Sequence, residues 1–159
     1  MSAPLNKRGG APVGLITELN GMEAASVLYL RLWSDGADGQ TQVRDDFVTA
    51  LGPCQGEKAV QTFGQICNLC SAHGRRPLMR HSVQCKCLGA DESCFANFIA
   101  TASEGERADA MLIATLLVRP DVAPLLASCA FDFGLALKRM RLGAGRNYVA
   151  APNQPITLH

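Results

Sequence analysis

Apolar residues recur at the helical period along most of this chain. Asn20 can cap a helix, and Glu23, three residues on, completes a capping box. Met22, Ala25, Tyr29, Leu32 and Trp33 then share one face, and Val27, Leu28 and Leu30 widen it, so a well-buried helix is expected over 21–34. A second helix is predicted over 39–51, with Val43, Phe47, Ala50 and Leu51 inward and Gly52-Pro53 as its stop. The third, 56–73, carries the stripe Ala59, Val60, Phe63, Ile66, Cys67, Cys70 and stops at Gly74. Residues 75–90 show no period and read as a loop. Asp91 reads as the N-cap of a fourth helix, 92–102. A fifth covers 106–118, until Arg119-Pro120-Asp121 breaks it. A sixth covers 122–142, with Leu126, Cys129, Ala130, Phe133, Leu137 and Met140 on one face and Gly143 ending it.

No strand-length alternation is flanked by hairpin turns. The expected fold is therefore all-α, an irregular or orthogonal bundle of about six helices with a Cys/His-rich loop between the third and fourth. One helical domain, 15–142, is expected between a flexible N-terminal segment, 1–14, and an extended C-terminal arm, 143–159, both rich in Gly and Pro. The predicted core joins Leu32, Trp33, Phe47, Phe63, Ile66, Phe98, Leu112, Leu116, Leu126, Phe133 and Leu137.

A length of 159 residues suffices for one domain with a real core. The composition, 48% hydrophobic and 18% charged, argues against disorder. The net charge of +1 supplies no global field toward nucleic acid or membrane. The opening residues lack the apolar run of a signal peptide, and no segment reaches the ~20 apolar residues of a membrane span. A cytoplasmic protein with reduced thiols is the expectation, and an odd count of seven cysteines agrees with it.

Five of those seven cysteines fall within 67–94, together with His73 and His81. They read Cys67-Asn-Leu-Cys70, fourteen intervening residues, Cys85-Lys-Cys87, then Cys94. Cys67 and Cys70 are three apart on a helix and share a side, and a CxC pair in a turn can bring two sulfurs to one ion. The predicted structural site is zinc on Cys67, Cys70, Cys85 and Cys87, with His81 or Cys94 as reserve ligands. An iron–sulfur cluster on the same thiolates is the second metal reading. Two other readings compete. Cys67 and Cys70 continue an apolar stripe and can be inert core residues. Alternatively the thiols are redox-active, with Cys94, read as the third residue of the fourth helix, as the candidate.

Arg75, Arg76 and Arg80 crowd the loop and could contact an anion or nucleic acid. The favoured reading instead pairs them with Asp91-Glu92 or with helix carbonyls, because the loop has no aromatic residue for base stacking. No P-loop, dinucleotide-binding glycine motif, G-x-S-x-G or H-E-x-x-H occurs. The reading leans away from an enzyme, toward a metal-stabilised, regulatory or macromolecule-binding module with a protein partner or a second copy of itself. A thiol or iron–sulfur redox sensor, or an enzyme with an unrecognised Cys or metal centre, are the alternatives.

Overall fold

The computed structural model describes residues 8–149 and is an all-α bundle of six helices with one small sheet. In order these are β1 (Pro12–Leu15), α1 (Gly21–Ser34), α2 (Ala37–Leu51), α3 (Pro53–His73), β2 (Cys87–Gly89), α4 (Ala90–Ser103), α5 (Arg107–Leu117) and α6 (Ala123–Val149). Single 3₁₀ turns lie at Arg8–Gly10 and Ile16–Glu18. No described helix is long and apolar enough to cross a membrane.

The capping box of α1 forms: Asn20 Oδ1 accepts from the Glu23 N–H at 2.8 Å, and the Asn20 N–H donates to Glu23 Oε1 at 3.2 Å. Gly52, at φ 89°, ends α2, and Pro53 follows as the first residue of α3. Proline is tolerated at that position because its missing N–H would have no intrahelical partner there. The sequence pattern starts this helix at 56, but Gly52-Pro53 both closes one helix and opens the next. At Gly56 a Cβ would lie 2.5 Å from the Val48 Cα, so α2 and α3 approach closely there.

The core is aromatic. Phe47, Phe63, Phe95, Phe98 and Phe133 are fully buried. Phe63 and Phe133 lie 4.7 Å apart between ring centroids, and Phe47 meets Phe133 at 5.7 Å. α6 packs against α2, α3, α4 and α5 and carries Leu126, Ala130, Phe133 and Leu137 into this cluster.

Four expectations need correction. First, the N-terminal segment is not uniformly loose: β1 pairs antiparallel with β2, placing Leu15 opposite Cys87. Residues 1–7 lie outside the described part. Second, α6 continues through Gly143 to Val149, so the first part of the expected arm is helical. One glycine costs a helix only about 1 kcal/mol, and no proline follows until Pro152. Residues 150–159 lie outside the described part. Third, α4 begins at Ala90 with Gly89 as N-cap, so Asp91 is not the cap and Cys94 is not in the first turn. Fourth, Leu112 and Leu116 are not core residues; they are 65% and 67% exposed. Positions 110 and 112 lie about 200° apart around a helix. α5 buries its narrower stripe, Ala110, Ala114 and Leu117, and turns the leucines outward. Leu28 on α1 is exposed for a similar reason of phase.

Candidate functional site

The segment 74–89, which has no period of its own, is tied to the bundle at nearly every step. Gly74 bridges Val118, the Arg75 N–H donates to Leu117 O at 3.1 Å, and Arg119 N–H donates to His73 O at 3.2 Å. Farther along, two adjacent carboxylates in the first turn of α4 take hold. Asp91 accepts both arms of the Arg76 guanidinium and, at 2.7 Å, the Met79 N–H. Glu92 accepts the His81 N–H at 3.0 Å and the Gly89 N–H at 3.0 Å.

Glu92 also meets Arg31, which reaches across from α1. Arg31 is 4% exposed and Glu92 0%. Arg31 Nε donates to Glu92 Oε2 at 2.7 Å and Nη2 to Oε1 at 2.8 Å. The remaining guanidinium donors reach backbone carbonyls of the loop: Nη1 to Ser82 at 3.0 Å and to Cys85 at 2.7 Å, Nη2 to Cys87 at 2.7 Å. All five N–H donors of the guanidinium are thus used, which is what a buried arginine requires. Hydrogen bonding to Glu92 raises the Arg31 pKa against the opposing effect of burial. Burial alone would raise the Glu92 carboxyl, but the Arg31 hydrogen bonds and the Gly89 and His81 N–H groups outweigh it and hold it below its ordinary value.

The thiols do not gather around one centre. Among the described residues, no group of three or more Cys, His, Asp or Glu side chains is arranged to hold a metal ion. Cys67 and Cys70 line a cleft beside Trp33 and Phe95. Burial pushes the Cys67 thiol well up and the Cys70 thiol to about 12. Cys94 is near enough to Cys70 to raise it further. Cys85 and Cys87 belong instead to the backbone around Arg31, and the neighbouring Cys85 side chain raises the Cys87 pKa. His81 is engaged: its Nε2 lies 2.9 Å from Gly10 O and must carry the proton, since a carbonyl only accepts. All seven cysteines are free thiols; Cys54 is exposed and Cys129 buried.

The expectation that Cys94 has a helix-lowered pKa fails. Burial, then the nearby Asp91 carboxylate, raises it. Its placement as the fifth residue of α4, two positions deeper than expected, removes it from the first turn. Of the loop arginines, Arg76 pairs with Asp91, Arg75 Nε donates to the Thr115 carbonyl, and Arg80 Nη1 donates to Leu78 O at 2.8 Å.

The central pair, Arg31 and Glu92, carries a sequence signal that metal-ligand spacing obscures. Arg31 is flanked by Tyr29, Leu30 and Leu32 in a helix read as well buried, and a charge there needs a buried partner. Compared with known protein families, curated proteins and solved structures, the chain matches none.

Proposed function

We propose that this protein is a non-enzymatic, cytoplasmic regulatory module that binds a protein partner through the outer face of α5. The observation that carries the reading is the exposure of Leu112 and Leu116, one turn apart and the two most exposed large apolar residues among those described; Leu28, Leu125 and Leu135, on α1 and α6, are exposed less. Exposed apolar residues that stand together mark contact surfaces more often than scattered ones. Arg75 crosses to α5 at Thr115, Arg119 follows the helix paired with Asp121, and exposed Asp109 stands one turn before Leu112, so the rim of this face carries both signs of charge. The occupant we assign is an amphipathic helix of another protein, with leucine-like residues for the face and charges of both signs for the rim. Nucleic acid is a poorer fit, because Arg75 and Arg76 are engaged within the fold.

In this reading the cysteine-rich segment is a brace, ordered by Arg31, Asp91 and Glu92. A structural zinc ion, or an iron–sulfur cluster, is the competing account of the same segment. It requires Cys67 and Cys70 to be brought to Cys85 and Cys87. A redox-sensor reading is favoured by one observation, the placement of Cys85 and Cys87 as half-buried free thiols two residues apart.

The test is a photo-crosslinking residue at position 112, introduced in the cells that make the protein. The expected result is one heterologous adduct that disappears in Leu116→Glu. Adducts only to a second copy would replace the partner with self-association. Adducts no different from those of a crosslinker on the exposed face of α2 would refute the reading.

A further inference from the structure

The cleft that holds Cys67 and Cys70 has the makings of a small-ligand site that the partner-binding reading does not use. Its volume is about 420 Å³, and it lies between α1, α3, α4 and the loop at 77–80. Small-molecule sites typically fall at roughly 300–1,000 Å³, with mostly apolar walls and a few polar groups. Here the apolar walls are Trp33, Leu78 and Phe95. Trp33 stands edge-on to buried Phe63, with centroids 5.7 Å apart and planes at 89°, so its position is fixed by the core.

Charge in the cleft has one sign. Among the described residues, Arg80 is the single charged side chain that lines it. Arg80 forms no ion pair among the described residues; its one hydrogen bond goes to the Leu78 carbonyl. Cys67 and Cys70 add no negative charge, because burial keeps both thiols protonated at neutral pH. They act as small apolar wall residues. A fixed indole, neutral walls in which Ser34, Asn68 and Ser71 accompany the apolar residues, and an unpaired guanidinium together select for a planar body bearing one anionic group.

We propose that this cleft binds a small aromatic monoanion, with its ring against Trp33 and its anionic group on Arg80. Trp33 is the only tryptophan of the chain, so its fluorescence reports on this site alone. The probes are anilinonaphthalene sulfonate and its uncharged analogue phenylnaphthylamine, titrated against the folded full-length protein. The sulfonate should bind with energy transfer from Trp33. Arg80→Gln should weaken it about tenfold, the scale of one charge-assisted hydrogen bond, while leaving phenylnaphthylamine unchanged. Ser71→Phe, an exposed position on the cleft wall, should block both probes. Circular dichroism of both variants should match that of the wild type. Three results would overturn the proposal: binding without energy transfer, equal loss of both probes in Arg80→Gln, or binding untouched by Ser71→Phe.

Discussion

Replacing Arg31 by methionine keeps the apolar stem and removes the guanidinium. Five hydrogen bonds go with it. Glu92 is left ionised at a site with no exposure, holding only the His81 and Gly89 N–H groups. Removing one partner of a buried ion pair costs about 3–5 kcal/mol, because the other charge is stranded. The carbonyls of Ser82, Cys85 and Cys87 also lose their donor, but these residues are exposed or half-buried and water can take its place. A loss of that size is a large fraction of the roughly 5–15 kcal/mol that stabilises a domain. Urea unfolding should show it, and amide exchange in 82–89 should rise before that of α2 and α6. Arg31→Met with Glu92→Leu removes both charges. The double variant should be more stable than the two single changes summed, by about 2 kcal/mol or more, since residues in direct contact couple. Single variants that cost under about 1 kcal/mol, the scale of a surface pair, with additive effects, would refute the clamp.

Other outcomes follow from the same structure. Phe63→Ala should cost about 3–5 kcal/mol in urea unfolding, since Phe63 is fully buried against Trp33, Phe95 and Phe133. Glu92 has a folded pKa below its ordinary value of 4.5, so its contribution is complete above that pH and is lost as pH falls through the folded value. Stability profiles of wild type and Glu92→Gln should therefore stay a constant distance apart above pH 4.5 and converge as pH falls below it through the folded value. Iodoacetamide at neutral pH, followed by mass spectrometry, should label exposed Cys54 quickly and spare Cys70, whose thiol is buried and protonated. Leu112→Ser should change stability by less than about 0.5 kcal/mol, because its side chain already faces water.

The helices were legible in the sequence because apolar period and capping chemistry agree locally. Asn20 and Glu23 mark the start of α1 without any tertiary information. Leu112 and Leu116 were misread because α5 carries two stripes of the same period, and only packing against α4 and α6 chooses the alanine one. The strand pairing β1 with β2 was illegible because it joins segments some seventy residues apart, too short to show alternation. The cysteines drew attention by spacing, yet spacing does not say which side of a segment faces which neighbour. Cys67 and Cys70 turn into the cleft, while the carbonyls rather than the thiols of Cys85 and Cys87 meet the organising group. Asp91 pairs with the loop arginine Arg76, as the sequence suggests. The partner of Glu92 came from α1 instead, 61 residues away.

Arg31 and Glu92 hold the backbone of residues 81–89 in place. Amide hydrogen exchange of residues 82–89, measured with and without a strong chelator alongside metal analysis of protein purified without one, tests this most directly. If this clamp suffices, protection and the melting temperature stay unchanged after chelation. One equivalent of zinc per chain, with exchange across 82–89 rising sharply once it is stripped, would contradict it.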